Sequence, residues 1–279
     1  MSTTLITEHP AWHRLEDGGA LRVVESAEAF WSARWADGTL HIQPSCSRTV
    51  HTPAPQVARA SAHDLPDHPQ LQPLVGELAK LETVERLTNP SLWDALATAV
   101  LRQVVRAGQA KKVYRAFCTA HGRSIATTGG PLSVVPQPEA VLGLGDAAFS
   151  EVGAAFHRDA LRYAAKAYLE HGPAWQLLDA DSLMKELLGV RRIGPWTAAA
   201  AAADFTGDHA VYPHGDLAVR TWAARAAPTM PFPTSDGEFE TLWRRCAPDR
   251  VALHTLTLFT LTWGNHVRST PHEGAPHQP

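Results

Sequence analysis

Cysteine is scarce in this chain. Only Cys46, Cys118 and Cys246 occur among 279 residues, widely scattered and with no Cys-x-x-Cys pair. That argues against a disulfide framework, a zinc ribbon and a four-cysteine iron–sulfur cluster. Also missing are any run of eighteen apolar residues and the basic-then-apolar start of a secretory signal, so the default location is the cytoplasm. Nor is there a surplus of positive charge: 25 Lys and Arg stand against 28 Asp and Glu, a formal balance of −3 with the histidines neutral. Any nucleic-acid binding must therefore rest on a local patch rather than on overall charge. From Ser91 to Ala226 the balance does reverse, with 14 Lys or Arg against 12 Asp or Glu. The 15 histidines show no metal-ligand spacing; His9 and His13 are four apart, but Pro10 intervenes, and no metal site is expected. What remains is an ordinary globular composition, 44% apolar and 19% charged, with material for one large or two smaller domains and no internal repeat.

The first eighty or so residues differ from the rest. In residues 31–43, Asp37-Gly38 lies between two alternating segments, which predicts a hairpin with Trp31, Ala33 and Trp35 on one face and Leu40 and Ile42 on the partner strand. Arg48 to Pro73 is rich in Pro, His and polar residues and reads as an irregular connection. After Asn89 everything reads as helix. Asn89-Pro90 offers a cap and a first-position proline for a helix over 91–105, and further helices are predicted at about 109–121, 157–171 (ended by Gly172), 236–246 and 249–266. The stretch 123–137 reads as turns. The expectation is an α+β protein: a small β-containing N-terminal domain over 1–85, a helical domain over 86–268, and a disordered tail over 269–279.

The informative segment is 187–198, Leu-Leu-Gly-Val-Arg-Arg-Ile-Gly-Pro-Trp-Thr-Ala. Asp181 is placed to cap a short helix through Leu188, a tight turn follows, and Pro195 opens another helix. Such a turn presents backbone N–H groups at the positive end of a helix dipole, an anion site suited to a DNA phosphate. A plain joint between two helices would read much the same. Farther on, Tyr212-Pro213 precedes Asp216, which stands 22 residues after Gly194 at the start of another predicted helix. Hairpin and spaced aspartate together resemble the helix-hairpin-helix DNA glycosylase superfamily. The helix carrying Gln103 resembles that family's opening helix, and residues 152–172 its glycine, arginine and long-helix segment. The resemblance covers Asn89 to Arg268. Trp196 stands where the lyase-type members carry a lysine nucleophile, so it implies a monofunctional enzyme. Gly-Pro-Trp-Thr-Ala at 194–198 is also similar to the AlkA-type 3-methyladenine DNA glycosylases. Three positions depart from the pattern: Arg192 replaces the first hairpin glycine, Ala200 an aromatic, and Pro248-Asp249-Arg250 a Pro-Trp-Arg.

The resemblance implies hydrolysis of the N-glycosidic bond of a damaged, alkylated purine in duplex DNA, as the first step of base excision repair. Asp216 would be the catalytic carboxylate, stabilising positive charge on the deoxyribose and orienting water; its plain alternative is a cap for the helix beginning at Leu217. No general acid accompanies it. An N-alkylated purine already carries positive charge and leaves as a neutral base, and aromatic stacking can hold such a cation. Trp196, Tyr212 and Trp222 are the base-pocket candidates, against the alternative that each is core. Val190, Arg191, Arg192, Ile193, Gly194 and Thr197 would form the DNA-binding hairpin, and Gln103 and Val104 the wedge that fills the gap left by the extruded base. Arg102, Arg106, Lys111, Lys112, Arg191 and Arg192 are candidate phosphate contacts. No cofactor is required, although the resemblance allows a structural monovalent cation at the hairpin carbonyls. The expected partner is lesion-bearing double-stranded DNA at the bacterial nucleoid, bound by a monomer with no membrane. Three other readings stay open: a lesion-binding protein of the same fold without catalysis, a glycosylase for a bulkier lesion admitted by Ala200 and Asp249, and an unrelated helical enzyme or partner-binding protein, which would show no salt-sensitive DNA binding.

Overall fold

The structure, a computed structural model, describes residues 2–26, 29–45 and 54–267. The N-terminal third supplies strands β1 (Thr3–Leu5), β2 (His13–Arg14), β3 (Ala20–Ser26), β4 (Ala29–Ala36), β5 (Thr39–Pro44) and β6 (Val57–Ser61), then helix α1 (Gln72–Leu78) and strand β7 (Thr83–Leu87). Helices α2 (Leu92–Leu101) and α3 (Ala107–His121) follow, then the short pair β8 (Ser124–Ile125) and β9 (Leu132–Ser133). The remainder is helical: α4 (Pro138–Gly143), α5 (Asp146–Glu151), α6 (Arg158–Trp175), α7 (Ala180–Leu187), α8 (Pro195–Thr206), α9 (Leu217–Ala226), α10 (Asp236–Cys246) and α11 (Arg250–Val267). The class is α+β, as expected.

The hairpin forms where the alternation predicts it. β4 and β5 pair antiparallel with Trp35 opposite Leu40 and Ala33 opposite Ile42. Asp37 and Gly38, with φ of 50° and 72°, make the two-residue connection whose twist suits a hairpin. β5 keeps the half-buried alternation, but β4 is buried on both faces from Ala29 to Ala33.

The chain does not divide at residue 85. One compact unit gathers residues 1–8, 60–85 and 214 onward; the other gathers 9–59 and 86–213. Parallel pairing of β1 with β7 (Thr3 opposite Thr83, Leu5 opposite Glu85) draws the N-terminus into the first unit. In the second unit, the sheet in order β2-β3-β4-β5 shares its core with residues beyond 86. Val23 and Phe30 cluster with Ile125 and Val134, and Arg22 Nη2 of β3 reaches Asp94 Oδ2 of α2 at 3.2 Å. The segment read as loop likewise contains β6 and the start of α1; its residues 48–53, and the tail expected to be disordered, lie outside the described residues.

Helix α2 is buried along its whole length and packs on α8, whose residues Thr197–Ala203 are all buried. The six-alanine run 198–203 explains this close packing, since side chains that stop at Cβ let helix axes approach. Local signals placed three boundaries differently. Ser91, not Asn89, caps α2, its Oγ accepting the Asp94 N–H. Asp179, not Asp181, caps α7 through the Ser182 N–H at 2.8 Å. α6 runs on past Gly172 to Trp175, with Gly172 seated against the Tyr168 ring.

In the first unit, α1 and α9 both pack on α11. The alternating threonines of α11 are tolerated in the core because Thr257, Thr260 and Thr262 return their hydroxyls to the carbonyls of Leu253, Leu256 and Leu258. Trp243, fully buried, donates its indole N–H to Thr257 Oγ1 at 3.0 Å. Among the described residues, no helix is long and apolar enough to cross a membrane.

Candidate functional site

The segment between α7 and α8 is a tight hairpin. Gly189 N–H bonds Glu186 O and Val190 N–H bonds Leu187 O, closing α7. A second turn is closed by Ile193 N–H on Val190 O at 3.0 Å, and Arg192 sits at its third position with φ of 69°. A type II turn needs a positive φ there, normally supplied by glycine. Arg192 thus keeps the backbone conformation a glycine would give, at a cost of about 1–2 kcal/mol for an L-residue in the left-handed region. Val190 and Ile193 are buried and anchor the turn, which leaves Arg191 and Arg192 exposed. The Arg191 guanidinium lies 4.9 Å from the centroid of the Tyr163 ring.

Gly194 ends the hairpin as the N-cap of α8, and Pro195 takes the first helical position as predicted. Its φ of −92° suits any residue, and a Cβ placed on it would meet nothing within 4 Å. Inside the free protein, therefore, neither strain nor crowding calls for glycine at 194. The N–H groups of the first helical turn have no intrahelical acceptor, and the dipole adds partial positive charge in front of them.

The exit of α2 is tied to this hairpin. Gln103 Nε2 donates to Thr197 Oγ1 at 2.8 Å and to Arg192 O at 3.2 Å. The Gln103 main-chain carbonyl lies 3.2 Å from Nε2 of buried His157, whose pKa is lowered by burial; as a neutral ring it donates that N–H. Val104, by contrast, is 88% exposed with φ of 58°, an outlier for a β-branched side chain. The two wedge candidates thus separate: Gln103 faces the hairpin and Val104 faces solvent. Of the hairpin carbonyls a monovalent cation could use, that of Val190 accepts the Ile193 N–H and that of Arg192 accepts the Gln103 amide, each keeping a second lone pair. Among the described residues, no group of three or more His, Cys, Asp or Glu could hold a metal ion.

The aromatic candidates divide between the units. Trp196, half-buried in the first turn of α8, has the Arg102 guanidinium carbon 5.6 Å from its ring centroid. Tyr212 is 3% exposed and stacks on His209 at 5.8 Å and 17°. In the first unit, buried Trp222 packs on the backbone of Gly264, where an added Cβ would come within 2.2 Å of the indole, and lies 5.1 Å from Arg225. Asp216, half-buried, occupies the N-cap position of α9 but makes no side-chain capping hydrogen bond to that helix. Of the departures, Ala200 is buried in the alanine face of α8, and Asp249 caps α11 through the Ala252 N–H at 2.9 Å.

A buried polar network in the second unit has no counterpart in the sequence reading. Asn89 Nδ2 donates to Asp94 Oδ2 at 3.1 Å and to Asp204 Oδ2 at 2.7 Å, while Tyr114 and Arg22 also bond Asp94. Arg86 bonds both the carboxylate and, at 2.9 Å, the main-chain carbonyl of Asp204. Burial pushes Asp204 up, but its interactions with His9, Arg86 and Arg22 and the Asn89 hydrogen bond outweigh it and hold the carboxyl below the ordinary range. Burial and then the Arg22 charge press His9 down to about 4. Because Asp94 lies on α2 and Asp204 near the C-terminus of α8, the network pins together the two helices that carry residues 102–104 and the hairpin. The partners lie up to 118 residues apart, so no local pattern announces it.

No protein-family model and no curated protein matches the sequence. Solved structures do match in fold. The 8-oxoguanine glycosylase/lyase of Clostridium acetobutylicum, in complex with double-stranded DNA containing cytosine opposite 8-oxoG, aligns with a TM-score of 0.66 at 15% identity, covering 93% of this chain and 90% of that one. The 3-methyladenine DNA glycosylase of Archaeoglobus fulgidus aligns with 0.66 at 18% identity, over 92% and 90%. The 3-methyladenine DNA glycosylase Mag1 of Schizosaccharomyces pombe, in complex with abasic DNA, gives 0.53 at 18%, over 71% and 94%. The chain has the helix-hairpin-helix DNA glycosylase fold.

Proposed function

We propose that this chain is a monofunctional DNA glycosylase that hydrolyses the bond between deoxyribose and an alkylated purine in duplex DNA. The observation that carries the reading is the hairpin. Its strained Arg192 turn delivers an uncrowded Gly194 and the open end of α8 to the surface, where the remaining use for a glycine is close approach by a ligand such as a DNA phosphate. Exposed Arg191 and Arg192 add charge for the same strand. Val104, held outward by the Gln103 tie, is the residue that enters the gap left by the extruded base.

Chemistry then falls to Asp216. As the C1′–N bond breaks, its electron pair passes to the base and positive charge develops on the sugar, which a carboxylate stabilises while orienting the incoming water. The hydroxyl of that water bonds to C1′ and an abasic site remains. Trp196 lacks an amine, so no Schiff base forms and the DNA backbone stays intact. The absence of a capping bond from Asp216 to α9 supports the catalytic role over the helix-cap alternative. The reading further takes the chain to act as a monomer, with no required cofactor, in base excision repair in the cytoplasm. Two of the fold neighbours are 3-methyladenine DNA glycosylases, which favours alkylated purines here; the bulky-lesion alternative gains nothing from Ala200, which is buried against helix rather than open.

The test is base release from duplexes each carrying one alkylated purine, cationic or neutral, by wild type and Asp216→Asn. Release by the wild type with loss of at least a hundredfold in the variant supports enzyme and carboxylate together. Salt-sensitive duplex binding without release of any base would instead identify a lesion-binding protein.

A further inference from the structure

We infer that Arg102 sets the charge of the base this site accepts, selecting purines that are neutral in the DNA, such as those alkylated on an exocyclic oxygen or nitrogen, over cationic N3- and N7-alkylpurines. This rests on the glycosylase reading above and narrows its substrate class.

Trp196 is half-buried at the start of α8, next to the hairpin. Over its ring, at 5.6 Å from the centroid, stands the Arg102 guanidinium carbon. The backbone that carries it is held by structure on both sides. Arg102 is the C-cap of α2, its N–H bonded to Thr98 O and Ala99 O. The next residue, Gln103, is bonded to Thr197, which follows Trp196 in α8. The backbone bearing the guanidinium is thereby fixed to the helix turn bearing the indole.

An indole face attracts a cation through its quadrupole, and that attraction is the physical reason an aromatic pocket would favour a positively charged base. On Trp196 the attraction is already satisfied by Arg102. A cationic purine brought to the same indole meets a like charge, whereas a neutral purine meets none. A guanine alkylated on O6 still presents N7 as an acceptor to the guanidinium.

The leaving step sharpens the contrast. When the C1′–N9 bond breaks, both electrons go to the purine and the hydroxyl of water goes to C1′. An N7-alkylated base departs neutral, and the proton of the water is released to solvent. A base that was neutral departs as an anion and takes up that proton. A guanidinium beside the base stabilises the departing anion by charge-assisted hydrogen bonding and gives no such help to a base that departs neutral. Arg102 thus supplies electrostatic assistance to the departing base.

The experiment compares single-turnover release from two duplexes identical except for one methyl group, 7-methylguanine against O6-methylguanine, corrected for spontaneous loss. Wild type is expected to favour O6-methylguanine. Arg102→Ala should move the ratio of rates about tenfold or more toward 7-methylguanine, the scale of a desolvated cation–π contact. Arg102→Lys, which keeps charge without the planar fork, should retain most of the discrimination. Thermal melting of both variants verifies the fold. An unchanged ratio in Arg102→Ala overturns the inference while leaving the glycosylase reading intact. Equal losses on both duplexes do the same, by making Arg102 a phosphate contact. Release of neither base by wild type overturns this inference together with the alkylpurine reading.

Discussion

Replacing Val104 should stabilise the protein and damage its function at the same time. At φ of 58° the valine sits in the left-handed region, which costs an L-residue about 1–2 kcal/mol and a β-branched one at the upper end. With the side chain 88% exposed, truncating it forfeits almost no buried surface in return. Asparagine, which tolerates this conformation, should recover about 1 kcal/mol. Glycine recovers the same strain but gives back about 0.5–1 kcal/mol through the greater freedom of its unfolded chain, so its net gain is smaller. Equilibrium urea unfolding followed by tryptophan fluorescence reads both values, with Asn above Gly above wild type and an unchanged slope; melting should rise by about 2–4 °C per kcal/mol. Release of base from lesion duplex should move the other way, because the wedge is gone. If both variants melt at or below the wild type, the strain argument is wrong. A strained, exposed valine that can be relaxed without loss of activity would sink its assignment as the wedge.

Gly194→Ala should keep stability within about 1 kcal/mol, the difference between the two residues at an N-cap, yet weaken duplex binding measured by fluorescence anisotropy; unchanged affinity would remove the phosphate from this corner. Asp204→Ala leaves Arg86 without its buried counter-charge and should cost about 3–5 kcal/mol in urea unfolding, far more than a surface ion pair. Gly264→Ala drives a methyl into the Trp222 ring and should cost about 1–3 kcal/mol by overpacking, read from the same unfolding curves. Burial lowers His9 to about 4, so the unfolded chain takes up a proton between about pH 6.5 and 4 that the folded chain refuses. Stability should therefore fall on acidification across that window, by up to about 3 kcal/mol, and His9→Gln should flatten the slope.

Much of the local structure was legible because it depends on neighbours in the chain. Asp37-Gly38 between alternating residues specifies a hairpin, and Pro195 after Gly194 a helix start, through backbone preferences that no distant contact has to supply. The bounds of α10, Asp236–Cys246, follow from its own cap and periodicity. Trp196 and Asp216 are singled out only by the family resemblance, whose hairpin and aspartate spacing are read along the chain.

The tertiary structure decided what depends on partners far along the chain. Asn89 looks like a cap from its neighbours alone, but two carboxylates, one of them 115 residues away, claim its amide, and Ser91 caps the helix instead. Gln103 and Val104 are equivalent wedge candidates in sequence; the hydrogen bonds to Arg192 and Thr197 separate them. Arg192 breaks a glycine pattern without breaking the turn, because buried Val190 and Ile193 on either side hold the backbone against the strain. The parallel pairing of β1 with β7 moved the unit boundaries away from residue 85. Sequence by itself determined most of the helices beyond Asn89, the β4–β5 hairpin and the residue types available for chemistry, through short-range periodicity and turn preference; which of those residues face solvent, each other or a buried charge was settled by packing between segments whose separation no local pattern encodes.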